Sequence, residues 1–110
     1  MTTDKTGAPT SVTAESDRFA IAVEGRQAGF AEFADHDGQR IFTHTEVADE
    51  FEGRGLATIL VNEALQATRD TGRRIVAVCP MVAGFVEKHP EFDDAVDPVS
   101  ADIKHWLTDS

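Results

Sequence analysis

Apolar and polar positions follow a strand-like pattern in the first half of the chain. Three runs rich in β-branched and aromatic residues, 19–23, 28–34 and 40–47, are separated by short Gly-containing turns. Asp37-Gly38 between the second and third runs is a strong signal for a two-residue hairpin. Because consecutive strands joined by short turns pair with each other, this half predicts an antiparallel three-strand meander.

The period then becomes helical. Apolar residues recur at 56, 59, 60, 64 and 67, which predicts a helix of about four turns that ends near Gly72. The β-branched run 74–79 is typical of a buried strand, and after a helix it is expected to lie parallel to the strand before that helix. Short helices are predicted over 81–89 and 100–107. The whole pattern predicts an α/β (α+β mixed sheet) fold.

The first 17 residues differ from the rest because they are rich in Thr, Ser, Ala, Asp and Glu and lack an apolar period. They predict a disordered N-terminal tail, 1–17, followed by a single domain over 18–110. A chain of 110 residues buries about two thirds of its unfolded surface, so one modest core is expected.

Charge narrows the possible partners. Acidic residues outnumber basic ones by 20 to 10, and a net charge of -10 argues against binding to nucleic acid or to an anionic membrane. The acids could serve solubility, or they could attract a cationic substrate such as an amine. A single cysteine, Cys79, and the lack of a long apolar run or signal-like start favour a cytoplasmic protein.

Gly53 and Gly55 precede the predicted long helix, and Arg54 lies between them. A helix N-terminus has unpaired backbone N–H groups and a partial positive charge, and glycines allow a ligand to approach them. The segment therefore predicts a phosphate-binding site, although such a segment can also be only a tight strand-to-helix connection.

The order strand, Gly-x-Gly loop, long helix and buried strand resembles the core of the Gcn5-related N-acetyltransferases. Their cofactor-loop motif, Gln/Arg-x-x-Gly-x-Gly/Ala, falls on residues 52–57, with Glu52 where Gln or Arg is usual. The chain is similar in particular to minimal proteins of the YjdJ type, through residues 44–47, 53–55, 79–80 and 89–91. This resemblance covers about residues 18 to 98.

The resemblance implies an acetyl-CoA-dependent N-acetyltransferase whose acceptor is an amine of a peptide, a protein or a small molecule. It implies that a backbone N–H near Val47 holds the thioester carbonyl. It also implies a set of cofactor-binding residues, namely Val47, Glu52, Gly53, Arg54, Gly55, Leu56, Ala57 and Thr58. The family often uses a Tyr as the acid, but this chain has no Tyr, and Phe85 occupies the approximate position.

Cys79, His44 and Glu46 are the candidate catalytic residues. Cys79 could protonate the leaving thiolate or accept the acyl group, or it could be a small buried side chain. His44 and Glu46 share one strand face, where they could deprotonate an ammonium group or activate Cys79, or could simply be a solvated polar face. The other histidines are scattered, which predicts no metal site, and His89 is expected to cap the second helix.

Two other functions remain open. A non-catalytic CoA-binding or protein-interaction module is favoured by Glu52 and by the missing Tyr. A peptide-binding domain that uses an exposed strand edge is also compatible with the pattern. The expected oligomeric state is a monomer or a weak dimer.

Overall fold

The computed structural model describes residues 2–3 and 6–109 of the chain. Its strands are β1 (Thr2–Thr3), β2 (Pro9–Ala14), β3 (Arg18–Val23), β4 (Arg26–His36), β5 (Gln39–Val47), β6 (Arg74–Ala77) and β7 (Val96–Asp97). Its helices are α1 (Leu56–Asp70), α2 (Pro80–Lys88) and α3 (Ala101–Asp109), and short 3-10 helices span Asp49–Phe51 and Pro90–Ala95.

The described strands form one mixed sheet in chain order from β1 to β7. Neighbours from β1 to β5 run antiparallel, whereas β6 lies parallel to β5 and β7 lies parallel to β6. The predicted meander, the long helix and the parallel strand after it are therefore confirmed. The hairpin between β4 and β5 is also confirmed, with φ of 51° at Asp37 and 77° at Gly38, as a two-residue turn with two left-handed positions requires.

The predicted N-terminal tail, residues 1–17, is wrong for Thr2–Thr3 and for Pro9–Ala14, which form the antiparallel strands β1 and β2. Strand β2 pairs antiparallel with β3 from Thr10↔Val23 to Ala14↔Phe19, and Val12 packs against the core. The strand is polar, so its sequence lacks a hydrophobic signal, but backbone hydrogen bonds to β3 do not depend on side chains. Residues 1, 4 and 5 of the predicted tail, and residue 110 of the predicted domain, lie outside the described residues.

Helices cover both faces of the sheet. The main core lies between α1 and one face, where Phe19, Ile21 and Phe42 meet Leu60 and other apolar residues of α1. A smaller cluster on the other face joins Ile41 and Val76 to Ile103 of α3. Adjacent residues such as Ile41 and Phe42 belong to different clusters because side chains alternate along a strand. Within the described residues, no helix is long and apolar enough to cross a membrane.

The strands β5 and β6 separate partway along their length. β6 pairs only with Gln39 to Phe42, and then the N–H groups of Val78 and Cys79 both donate to the Phe42 carbonyl, at 3.1 and 2.8 Å. The chain turns there into α2. Among the described residues, no strand pairs with β5 on this side after Phe42. We call residues 39–42 the closed half of β5 and residues 43–47 the open half.

Candidate functional site

The chain reaches α1 through two left-handed glycines. Gly53 and Gly55 have φ of 81° and 77°, and Gly55 is the N-cap of α1. Since Ile59 N–H donates to the Gly55 carbonyl at 3.3 Å, the amides of residues 56–58 precede the first full helical hydrogen bond. These N–H groups and the helix dipole create a positive potential at the start of α1, which suits an anion.

A cleft of about 380 Å³ lies between this helix start and the open half of β5. Its lining residues are Thr45, Glu46, Val47, Phe51, Glu52, Gly53, Gly55, Leu56, Ala57, Thr58 and Met81. We call it the front cleft. The structure thus brings the end of β5 and most of the predicted cofactor loop to one concave surface. Arg54, His44 and Cys79 are not among the lining residues, and the binding roles of the others stay predictions.

Arg54 lies beside the front cleft rather than in it. Its guanidinium carbon is 5.2 Å from the ring centroid of Phe51, and that of Arg26 is 5.3 Å from the same ring. Arg26 also pairs with Glu50 at 3.2 Å. Phe51 is buried and lines the cleft. Two cations are therefore positioned by one aromatic ring next to the cleft, through cation–π contacts.

The two faces of the open half carry different chemistry. Thr45 pairs with the core residue Ala31 on the α1 side, and the Cys79 thiol donates to the Thr45 hydroxyl at 3.4 Å. Cys79 is 4% exposed. On the other face, His44 Nε2 lies 3.0 Å from Glu46 Oε1, with 51% and 61% of the two side chains exposed. The predicted shared face of His44 and Glu46 is confirmed.

The hypothesis that His44 activates Cys79 is wrong, because the two side chains lie on opposite faces of β5. The thiol contacts Thr45, while the imidazole contacts Glu46. The reason is the register of β4 and β5, in which Ala31 faces Thr45 and Glu32 faces His44. If both His44 and Cys79 react with one bound ligand, they must therefore approach it from opposite faces of the strand.

The approximate position at which the resemblance places a Tyr holds no hydroxyl. Phe85 of α2 is 8% exposed, and its ring stacks on that of His89 with centroids 3.8 Å apart. His89 Nδ1 lies 2.8 Å from the Phe85 carbonyl oxygen, which confirms the predicted capping role. Phe85 and His89 line a pocket of about 270 Å³ between α1 and α2, which also includes Lys88 and shares Ala57, Thr58 and Met81 with the front cleft.

Three residues of the site were missed in the sequence. Thr45 could have been found from its position between His44 and Glu46, because alternation places it on the face opposite to theirs. No sequence pattern indicated that Phe51 and Met81 would line the cleft. Phe51 lies in a connection and Met81 at a helix start, and the orientation of both segments depends on tertiary packing. Met81 is 43% exposed and lines the cleft.

Comparisons with known proteins agree with this geometry. A sequence model of the GCN5-related N-acetyl-transferase family matches residues 18–95. The chain is similar in structure to a GCN5-like protein from Staphylococcus aureus, determined in solution by NMR, with a TM-score of 0.63 and 20% identity. That match covers 83% of this chain and 91% of the other, and at this identity it shows the fold. No curated protein sequence matches the chain.

Proposed function

Because the chain belongs to the GCN5-related N-acetyl-transferase family, we propose that it transfers an acetyl group from acetyl-CoA to an amine. The observation that carries this proposal is the front cleft, which joins the open half of β5 to the glycine-rich start of α1. A thioester and a phosphate group need different surroundings. In this cleft, the end of β5 lies beside the thioester, and the amides at the start of α1 face the phosphate group.

The start of α1 provides the phosphate side of the site. The left-handed Gly53 and Gly55 have no side chain to block the amides of residues 56–58, and Thr58 adds a hydroxyl. Arg54 lies close by on Phe51. Lys88 lines the adjoining pocket between α1 and α2, where a second cation would face a further phosphate. These groups suit the pyrophosphate of acetyl-CoA.

The reaction needs a neutral amine and a proton for the departing sulfur. The acceptor ammonium loses a proton to His44, whose other contact is the Glu46 carboxylate. The amine lone pair then forms the C–N bond to the thioester carbonyl carbon, and the C–S bond breaks. The nitrogen releases a second proton as the amide forms, and the CoA thiolate gains one, which yields free CoA.

Cys79 is the residue that we propose for the second proton transfer. Its thiol lies on the α1 side of the open half, where it already donates to Thr45. The Thr45 hydroxyl lines the front cleft, so it can pass the thiol proton to the CoA thiolate, and the thiol then recovers a proton from the nitrogen as the amide forms. The backbone N–H near Val47, which lines the front cleft, polarises the thioester carbonyl.

Two measurements test the proposal. Calorimetric titration with acetyl-CoA should show saturable one-to-one binding, and a panel of amines should contain one that releases free CoA at a rate above background hydrolysis. No detectable binding at millimolar acetyl-CoA would contradict the proposal.

A second candidate is a non-catalytic CoA-binding or protein-interaction module on the same fold. The absence of Tyr from the sequence, with buried Phe85 at the approximate position of the usual acid, favours it. This alternative predicts acetyl-CoA binding without CoA release for every amine in the panel. It also predicts that substitution of Cys79 does not change the rate of CoA release, which stays at background.

Three finer assignments remain proposals from the sequence: membership in the YjdJ-type subgroup, a cytoplasmic location and a monomeric or weakly dimeric state. Light scattering across a concentration series tests the last of these directly. A mass of one chain, 11.9 kDa, is expected at low concentration.

A further inference from the structure

A separate pocket of about 230 Å³ lies where the start of β4 meets the end of β5. We call it the rear pocket, and its lining residues are Gln27, Ala28, Gly29, Phe30, Glu46 and Ala48. The Ala48 N–H donates to the Ala28 carbonyl at 2.8 Å, which ties the two strands together here. A Cβ on Gly29 would collide with the Glu46 carbonyl oxygen. The pocket is thus built on a close and fixed strand pairing.

Glu46 is the residue that the rear pocket and the front cleft have in common. The carboxylate is also the hydrogen-bond partner of His44, at 3.0 Å. A ligand in the rear pocket and a thioester in the front cleft would therefore approach each other at the end of β5. The residue that borders both is Glu46, the partner of the candidate base His44.

The lining of the rear pocket favours a cation on an apolar stem. Glu46 supplies a carboxylate, Phe30 supplies an aromatic ring, and Ala28, Gly29 and Ala48 leave space. The ring of Phe30 already accepts a cation on one side, since the Arg18 guanidinium lies 5.2 Å from its centroid. Glu15 pairs with Arg18 at 2.8 Å and offsets that positive charge.

We propose that the rear pocket binds the acceptor, and that the acceptor is a primary amine on a slim apolar stem. This inference rests on the proposed acetyl transfer and adds the location and the chemical class of the second substrate. The ammonium group lies at Glu46 and the stem lies against Phe30. Since a cavity of roughly 150 Å³ holds one benzene ring, a pocket of about 230 Å³ fits an aminoalkyl or arylethylamine group.

The test uses 2-phenylethylammonium as the probe, with 2-phenylethanol as its uncharged match. In ¹⁵N-labelled protein, the charged probe should shift the amides of Gln27, Ala28, Phe30 and Ala48. Glu46→Gln should raise the Kd for the charged probe, measured from these shifts, about tenfold. This change corresponds to ~1.4 kcal/mol, close to the value expected of one charged hydrogen bond. Equal responses to the two probes, or shifts confined to other surfaces, would overturn the inference.

A variant that blocks the rear pocket distinguishes binding in this pocket from non-specific effects of an added Trp side chain. Ala48 is exposed, so Ala48→Trp should fill the mouth of the rear pocket without disturbing the core, whereas Ala101→Trp places the same side chain on exposed α3. Ala48→Trp should abolish the probe response and Ala101→Trp should keep it. With 2-phenylethylamine as acceptor, Ala48→Trp should raise the KM for the amine at least about tenfold and leave the KM for acetyl-CoA unchanged.

Calorimetry with acetyl-CoA on the same samples keeps the two proposals distinguishable. Acetyl-CoA binding without a rear-pocket response to the ammonium probe would overturn the acceptor site and leave the proposed function standing. A rear-pocket response without acetyl-CoA binding would contradict the proposed function, and with it the assignment of this pocket to an acceptor.

Discussion

The closed and open halves of β5 belong to one strand but differ in almost every physical respect. In the closed half, Ile41 and Phe42 are 0% and 1% exposed, and β6 pairs along the strand. Two polar side chains of this half are also paired. Arg40 forms an ion pair with Asp35 at 2.8 Å, and Gln39 donates a hydrogen bond to Asp97 at 2.9 Å. The open half has the exposed His44 and Glu46 on one face and borders the front cleft.

The comparison teaches that stability and chemistry are separated along the strand. Closed-half residues have neighbours on both faces, so their substitution should change the free energy of unfolding. The open half gives up strand pairing on one side, and its polar groups are left available to a ligand. Variants of the exposed side chains of the open half should therefore change binding or turnover with little loss of stability.

The largest effect on binding is expected from Gly55→Val. A β-branched residue at φ of 77° is strained, and that strain should distort the loop that presents the amides we assign to phosphate. Acetyl-CoA affinity should fall about a thousandfold, or ~4 kcal/mol, measured by calorimetry. Gly72→Val is the matched control, because Gly72 has φ of 81° just beyond the other end of α1. Equal losses of affinity in both variants would refute the phosphate assignment.

His44→Gln should have the next largest effect. Removing a general base typically lowers the rate about a hundredfold, and glutamine keeps a hydrogen-bonding group near Glu46. We expect kcat to fall by that order with the acetyl-CoA Kd unchanged. His105→Gln, at an exposed histidine of α3, is the control. An unchanged kcat would show that His44 and Glu46 are only a solvated polar face.

Cys79→Ala should lower kcat about tenfold, less than the roughly hundredfold typical for loss of a proton-transfer group, because a thiolate is a good leaving group that water can also protonate. Acetyl-CoA affinity should stay nearly intact, since Cys79 does not line the front cleft. Val82→Ala is a matched control because Val82 is buried in α2 and has no proton to give. If Cys79→Ala keeps full activity and loses only stability, as Val82→Ala should, the thiol is a packing residue.

The smallest effect, and one on stability alone, is expected from Asp97→Asn beside the closed half. The hydrogen bond from Arg74, and then that from Gln39, hold the pKa of the Asp97 carboxyl below its ordinary value of 3.8. A lowered pKa contributes stability above that value, and the contribution is lost as the pH falls through the folded-state pKa. The variant should lower Tm by about 3 °C at pH 7.

The pH dependence and the ligand response check that assignment. The difference in Tm between wild type and Asp97→Asn should shrink as the pH is lowered below 3.8. Acetyl-CoA affinity should not change. A variant that weakens acetyl-CoA binding at unchanged stability would show that the two halves of β5 are coupled, contrary to the separation described above.

Much of the fold could be predicted because its signals are local. The strand alternation around Phe30 and Phe42, the helical period from Leu56 and the Asp37-Gly38 turn each depend on neighbouring residues. β2 could not be predicted, because this mainly polar strand has no clear hydrophobic pattern, and its pairing with β1 and β3 defines it. Apolar periodicity identifies buried surfaces, but it does not detect a strand that is held mainly by backbone pairing.

The site was predictable only in part, for a related reason. Gly53 and Gly55 mark a helix start that any similar sequence would form, and alternation places His44 and Glu46 together. The separation of His44 from Cys79 depends on the register of β4 and β5 and on the contact of Cys79 with Thr45, which involve residues far apart in the chain. The rear pocket depends on the close approach of Gly29 to Glu46. A glycine within a strand does not indicate from the sequence which residue lies against it.

The most direct test of the central claim is a ¹⁵N chemical-shift map of the wild-type protein titrated with acetyl-CoA. The amides of Val47 and of residues 53–58 should shift and saturate together, while those of residues 39–42 and of α3 should stay in place. Shifts centred on the closed half or on α3, or no shifts at millimolar acetyl-CoA, would contradict the claim that the open half of β5 and the start of α1 form the acetyl-CoA site.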